Sequence, residues 1–403
     1  MTLQKDSLMT CAAEQLVGVL TSVTGDAKRP VALHVPEFSG REWEYVKDCL
    51  DTGWVSSVGG YVDGFERQLA EITGARHAIA VVNGTAALQV ALNVCGVQAG
   101  DEVLVPALTF VATANAVTHC GAVPHFVDSE EGSLGICVTA LAHRLRMVAE
   151  RGAQGVLNRE TGRRIAAIVP MHVFGHACDM VALGELAAEW GLPIVEDAAE
   201  ALGSSLHGRH LGTWGQVGVL SFNGNKLVTT GGGGAVLTDS PELARRLKHL
   251  TTTAKLPHRW EFVHDEVAYN YRLPNINAAL GCAQLERLPD FLTRKRRLAQ
   301  AYLDATRDCS TISMITEPVG CHSNYWLNAI RLAEGGETLR DAVLAATNDA
   351  GFQCRPLWRP MHQLPMFAAC PRTELPVAER LAASIINVPS SAVLGAKVNV
   401  DLR

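Results

Sequence analysis

Between residues 31 and 238 the chain alternates short apolar runs with amphipathic stretches of helical spacing, and nothing else in it constrains the fold as strongly. The apolar runs, rich in β-branched residues, are 77–82, 102–105, 123–127, 165–170, 192–196, 217–221 and 234–238. Residues 85–94, 112–119 and 180–190 between them carry apolar positions at helical intervals. A helix that follows each strand returns the chain to the edge where the strand began. The strands then lie mostly parallel, in a sheet covered on both faces. The expectation is an α/β protein.

The flanking regions read differently. Residues 42–50 and 65–72 are helical, separated by a Gly/Ser loop at 51–60. Residues 1–30 read as an N-terminal extension, one helix ended by Gly25 and Pro30. A long helix spans 289–308, and its Arg294-Lys295-Arg296-Arg297 run reads as a solvated face. Beyond it, Pro and Gly punctuate mixed elements. The expected division is therefore an extension at 1–30, a large domain at 31–288 and a smaller α+β domain at 289–403.

Composition excludes several classes. With 48% hydrophobic and 19% charged residues the chain is globular rather than disordered. A net charge of −6 leaves no basic footprint for nucleic acid. No apolar run is long enough to span a bilayer, and no secretory signal opens the chain. Eleven cysteines without a Cys-x-x-Cys pair point to reduced thiols, no metal site and a cytoplasmic protein.

A parallel sheet gathers the carboxyl ends of its strands at one edge, where open α/β sheets bind ligands. Four loops leave that edge. Asn83-Gly84-Thr85 opens a helix whose free amides suit a phosphate; the alternative is that Thr85 is an ordinary helix cap. Phe110, after the next strand, is a ring-stacking residue or a core aromatic. Asp197 ends a later strand and either caps a helix or faces a ligand. Lys226 closes Ser221-Phe222-Asn223-Gly224-Asn225-Lys226, just before the tight turn of Gly231 to Gly234. Alone it is a loop lysine. Paired with a strand-end aspartate it is what pyridoxal phosphate chemistry needs: an amine for the cofactor aldehyde and a carboxylate for the pyridine nitrogen.

Asn-Gly-Thr-Ala-Ala-Leu, the stretch from Val105 to Ala116, Glu-Asp-Ala-Ala-Glu, Ser-Phe-Asn-Gly-Asn-Lys and the stretch from Asn270 to Ala279 occur in that order. Together they resemble the DegT/DnrJ/EryC1/StrS family of nucleotide-sugar aminotransferases over residues 31–386. The resemblance implies pyridoxal phosphate-dependent transferase fold type I, the aspartate aminotransferase-like architecture. It further implies a homodimer with shared sites. By position, Lys226 matches the lysine that carries the cofactor and Asp197 the partner of its ring nitrogen. Gly84, Thr85 and Ser221 match phosphate contacts, and Asn223 belongs to the same cofactor-binding loop. Phe110 matches the stacking aromatic, and Asn270 the residue that reaches the phosphate in the other subunit. Glu200 stands near the ring oxygen, where many members carry Gln or His.

Residues 51–59 and the Asn-Gly-Asn-Lys loop resemble the legionaminic-acid-pathway branch. That branch implies transfer of the amino group of L-glutamate to the C4 ketone of a UDP-linked 4-keto-6-deoxy-N-acetylhexosamine, for surface-glycan or nonulosonate synthesis, with pyridoxamine phosphate formed on the way. A 3-keto sugar, a keto-inositol or a keto-octulosonate is the alternative acceptor. Family members that deoxygenate sugars carry histidine in place of the lysine, so Lys226 argues against that chemistry. Ser56, Ser57, Arg272, Tyr325 and His362 are the substrate-contact candidates. The chain stops soon after Ser391, so the family's final helix is expected to be short or missing.

Overall fold

A computed structural model describes residues 2–153, 155–334 and 336–398, with the backbone alone for 2–8. Residues 399–403 of the expected C-terminal domain lie outside the described residues.

The chain opens with α1 (Thr2–Thr24), α2 (Glu42–Thr52) and α3 (Gly60–Thr73). The alternating region then gives β1 (His77–Val81), α4 (Gly84–Val94), β2 (Glu102–Pro106), α5 (Val111–His119), β3 (Val123–Val127) and α6 (Val138–Val148). A hairpin of β4 (Ala149–Gly152) and β5 (Gly155–Asn158) precedes β6 (Arg164–Ile168), α7 (Met180–Trp190) and β7 (Val195–Asp197). Two short strands follow, β8 (Ser205–Leu206) and β9 (Arg209–His210), then β10 (Val217–Ser221), β11 (Gly234–Thr238) and α8 (Pro241–Thr251). The last third holds α9 (Asn275–Glu286), α10 (Leu288–Thr306), β12 (Ile312–Met314), β13 (Cys321–His322) and β14 (Asn328–Leu332). It ends with α11 (Glu337–Asp349), β15 (Arg355–Pro356), α12 (Pro376–Ser384), β16 (Ile385–Val388) and the short α13 (Ala392–Gly395).

Ladders order β1-β11-β10-β7 on one side and β3-β2-β6-β5-β4 on the other. Parallel bridges Ile168↔Ile194 and Met171↔Asp197 join β6 to β7, so one sheet runs through both. Strands β2, β3, β6, β7 and β10 are linked by parallel pairings, and β1 shares their direction because both it and β10 pair antiparallel with β11. Apart from the β4–β5 hairpin, β11 is the one reversed strand of this sheet. The expected mostly parallel sheet is thus present. The hairpin went unread because Arg151, Gly152 and Gly155 carry no apolar alternation.

The main core fills both faces of this sheet, with Val103, Leu104, Phe126, Ala167, Val219 and Val236 fully buried. A second cluster lies under α1, between α10, α11 and the antiparallel sheet β12-β14-β16-β15. Leu16 and Leu20 of α1 are wholly buried there against Tyr302, Ile330 and Phe352. Leu16→Ala should therefore destabilise the protein by about 2–5 kcal/mol, read as a shift in the denaturant midpoint. A change under 1 kcal/mol would mean that α1 rests on the protein without sealing it.

The basic run of α10 is not a solvated face. Lys295 has no exposed surface, and its ammonium donates to the carbonyls of Trp326, at 2.7 Å, and Ser390. Arg294 pairs with Glu37 and Arg296 with Glu317. Four consecutive residues of an α-helix point round its whole circumference, so in a helix packed by α1 and α13 one of them must face inward. Burial drives the Lys295 ammonium well below the usual lysine range.

Candidate active site

The shared direction of β1, β2, β7 and β10 brings their carboxyl ends to one edge, where β11 begins. At the end of β1, Asn83 caps α4, its side-chain oxygen accepting from the Ala86 amide at 2.8 Å. Asn83 rather than Thr85 is the cap. The Thr85 and Ser221 hydroxyls have no hydrogen-bond partner among the described residues. With the Ala86 amide taken by Asn83, the Gly84 and Thr85 amides are the ones that helix geometry leaves without an intrahelical acceptor. A Cβ on Gly84 would lie 3.0 Å from Ser221 Cβ, and one on Gly234 would lie 2.6 Å from the Asn83 carbonyl. Glycine is needed at both positions for the turn, the serine and the start of β11 to close this tightly. The result is a small polar cup of amides and hydroxyls, suited to a phosphate.

Asp197, at the end of β7, is buried at 2% exposure. Its Oδ2 accepts from the Thr113 hydroxyl at 2.7 Å, and Thr113 in turn shares a 2.7 Å bond with the buried Thr109 hydroxyl. The Ala199 amide reaches Oδ1 at 3.2 Å. Burial raises the carboxyl above its ordinary range, against the pull of Thr113 and Ala199. A cation placed beside such a group offsets its desolvation, which suits a protonated ring nitrogen. Thr113→Val leaves buried oxygens short of partners and should cost about 1–3 kcal/mol of unfolding free energy, with Thr113→Ser restoring most of it. An unchanged denaturant midpoint in the valine variant would contradict this.

Lys226 sits in the loop after β10, with 13% of its side chain exposed. Its Nζ lies 3.4 Å from Glu200 Oε1 and 3.8 Å from the ring centre of Trp326. The Trp326 indole N–H donates to the Asn225 carbonyl at 2.9 Å and so ties down the lysine loop. The other Glu200 oxygen accepts from the Phe174 amide at 2.9 Å. Phe174 has φ 57, a left-handed conformation that costs energy for a non-glycine residue and aims that amide.

Burial pushes the Glu200 carboxyl up from its ordinary 4.5 to about 7, while Lys226 and the Phe174 amide work the other way. Between those pH values the folded chain keeps a proton that the unfolded chain loses. The Glu200 contribution to stability is therefore full below about 4.5 and lost as pH rises through about 7. Glu200→Gln should remove that slope. Unfolding of both proteins from pH 4.5 to 8 measures the difference, and parallel curves would refute it.

The other expected positions divide. Phe110 is 50% exposed, edge-on to Trp358 at 6.4 Å, so it is not a core aromatic. Asn223 is exposed and donates to Asn225 at 3.3 Å. Asn270 is exposed, and its side-chain oxygen accepts from Arg272 at 3.0 and 3.1 Å. Both flank Tyr271, whose carbonyl accepts from the Val82 amide beside the Gly84 turn. Ser56 and Ser57 lie in the loop before α3, where the Ser56 carbonyl accepts from the Asn275 amide at 2.6 Å.

Tyr325 requires a correction. Its hydroxyl accepts from the Glu317 amide at 3.2 Å, and its ring packs on His176 in a separate cavity with Arg296 and Met314. The φ of 46 at Tyr325 turns the chain so that the next residue, Trp326, meets the lysine instead. His362 is tied to Glu379 at 2.9 Å, and no contact joins it to Lys226, Asp197 or Glu200 among the described residues. Sequence reasoning missed Thr113, Trp326 and Trp358. Thr113 alone lay within a motif already singled out.

Comparisons with known proteins bear on the chain as a whole. The profile of the DegT/DnrJ/EryC1/StrS aminotransferase family matches residues 36–398. The chain is 36% identical over 368 residues to a GDP-perosamine synthase of Caulobacter vibrioides, covering 90% of this chain and 94% of that protein. It is 35% identical to a putative pyridoxal phosphate-dependent aminotransferase, EpsN, of Bacillus subtilis, covering 84% of each. The crystal structure of the aminotransferase TlmJ from Streptoalloteichus hindustanus superposes with a TM-score of 0.79 at 30% identity, over 89% of this chain and 92% of that one.

Proposed function

The chain belongs to the DegT/DnrJ/EryC1/StrS aminotransferase family, and we propose that Lys226 and Asp197 are the two residues on which its transfer reaction turns. The protein is a pyridoxal phosphate-dependent sugar aminotransferase of fold type I. The observation that carries the residue assignment is the convergence at one sheet edge of a buried carboxylate, a sparingly exposed lysine and a glycine-lined polar cup.

Pyridoxal phosphate supplies an aldehyde and an electron-withdrawing ring that let a proton leave a carbon next to nitrogen. The residues fit it. Gly84, Thr85 and Ser221 would hold its phosphate at the α4 terminus. Phe110 would lie against its ring, and Asp197 would keep the ring nitrogen protonated, with Thr113 holding Asp197 in place. Lys226 would be the amine that anchors it. Once freed, Lys226 Nζ would take up the proton that leaves the donor's α-carbon and hold it as an ammonium, a general-base role worth roughly 10²–10⁴-fold.

L-glutamate is the proposed donor and a nucleotide-linked keto sugar the acceptor. Within that class we assign the C4 ketone of a 4-keto-6-deoxy-hexose. The legionaminic-type loop at residues 51–59 supports a UDP-linked N-acetylhexosamine. The name of the Caulobacter relative makes a GDP-linked sugar the one to test beside it. An acceptor aminated at another carbon remains the second reading, favoured by 32% identity to a UDP-N-acetyl-3-dehydro-glucosamine 3-aminotransferase of Acidithiobacillus ferrooxidans.

We also propose a homodimer in which Asn270 serves the neighbouring site, supported by its exposure and by the exposed Trp260 and Phe262 nearby. The domain division at residues 30 and 288 and a cytoplasmic location complete the reading. No helix among the described residues is long and apolar enough to cross a membrane.

The test is a visible spectrum of the purified enzyme before and after L-glutamate, followed by each keto sugar. Loss of the visible cofactor band on glutamate and its return with one sugar would name donor and acceptor together. A protein that acquires no band from added pyridoxal phosphate would refute the assignment of Lys226.

A further inference from the structure

Three clusters of polar and titratable side chains lie outside the cofactor cup. In the His249–Asp265–Glu266 cluster the side chains are already partnered, Arg246 with Glu266 and His249 with Asp265. The Glu102–His125–Asn158 network is buried and internally satisfied, and braces β2 against the hairpin. The cavity of Tyr325 is lined by Arg296 and Glu317, which already pair with each other. The surroundings of the Lys226 amine carry more.

We propose that Glu200 and Trp326 form a cradle that stabilises the Lys226 ammonium once the lysine, freed of the cofactor, has taken up a proton. Trp326 is thereby a positioning residue of the reaction. The inference rests on the assignment of Lys226 above. The carboxylate oxygen lies at 3.4 Å and the indole face at 3.8 Å from the same nitrogen. A carboxylate and an electron-rich ring face both favour a cation, and more strongly in a desolvated site. Neither partner is free to drift. The Phe174 amide fixes Glu200, and Asn324 donates to the Glu200 and Leu202 carbonyls at 2.8 and 2.9 Å. The indole is fixed through Asn225, and its backbone carbonyl through Lys295.

The charged groups around the pair do not cancel the effect. Asp197 adds a second carboxyl from β7. Lys295, from α10, is driven toward neutrality by burial. His34 packs near Trp326, with both ring nitrogens buried and without hydrogen-bond partners. Burial, Lys295 and Lys226 hold it well below the usual histidine range, so it adds no opposing charge.

The cradle suits the moment at which the displaced lysine has taken the donor's proton. Nζ then bears the extra proton and its positive charge, and the ionised Glu200 and the indole stabilise that state without themselves being protonated. A stronger hold on the proton makes Nζ a better base toward carbon. It also makes the free amine less reactive toward other electrophiles.

The second consequence gives a readout independent of turnover. The full chain, freed of cofactor, is labelled with a trace of acetic anhydride across pH 6 to 10. Acetylation of Lys226 is compared by mass spectrometry with that of the exposed Lys28 in the same molecules. In Glu200→Gln the Lys226 rate curve should move toward lower pH, giving about tenfold faster labelling at pH 8. Trp326→Leu should shift it in the same direction, and Trp326→Phe, which keeps a ring face, by less than threefold. Curves that coincide with the parent's, or that scale equally at every pH as a change of access would, overturn the cradle. Uptake of pyridoxal phosphate by the parent is followed in parallel. Failure there would remove the cofactor assignment while leaving the labelling result to stand or fall alone.

Discussion

Lys226→Ala should abolish the visible cofactor band and lower amino transfer by more than roughly 10⁴-fold, because it removes both the covalent anchor and the proton carrier. The two losses are separable. Added alkylamine can replace a missing base but cannot restore a tether, so rescue should recover transfer without restoring the parent's tight cofactor retention. The fold should survive, since the side chain is a loop residue whose contacts are one ion pair and one ring face. Unfolding midpoints within about 1 kcal/mol of the parent would separate lost chemistry from lost structure. A variant that still transfers within tenfold of the parent would show that another amine acts.

Asp197→Asn should be the second-largest effect, lowering turnover by about 10²–10³-fold, the scale on which a single preorganised electrostatic partner is usually worth something. Asparagine keeps the size of the side chain and can still accept from Thr113, so the site stays built. What it lacks is the negative charge that, in the proposed role, would keep the ring nitrogen protonated. Cofactor binding should persist while the glutamate half-reaction slows, and single-turnover mixing with glutamate distinguishes the two. Equal loss of binding and rate would instead make Asp197 a mere anchor.

The parts of the site that the sequence made legible share one property: each is local. Gly84-Thr85, Asp197 and Lys226 lie where a strand ends, and a few residues of turn chemistry state where the backbone goes next. The regular alternation also made the central sheet readable, since buried parallel strands and their helices leave distinct periodicities. The partners of those residues were not legible. Trp326 reaches the lysine loop from a segment a hundred positions later, through a left-handed turn at Tyr325 that no propensity predicts. Tyr325 itself faces Glu317 and His176. The burial of Lys295 is hidden for the opposite reason. Its neighbours in sequence are charged, yet on a helix neighbours in sequence face different ways.

The reversed strand β11 has a consequence for the order of synthesis. Gly234 pairs with Val81 on one side and Ser221 on the other. The phosphate turn and the lysine loop therefore come into register only once a strand made long after the first of them has been threaded between the two. A nascent chain that has emerged through Lys226 already holds every cofactor-contacting residue assigned here except Asn270, yet has no cup in which to place them. Cofactor capture should therefore wait for the arrival of β11 at the growing sheet, and a chain arrested before it should leave the ribosome without the cofactor.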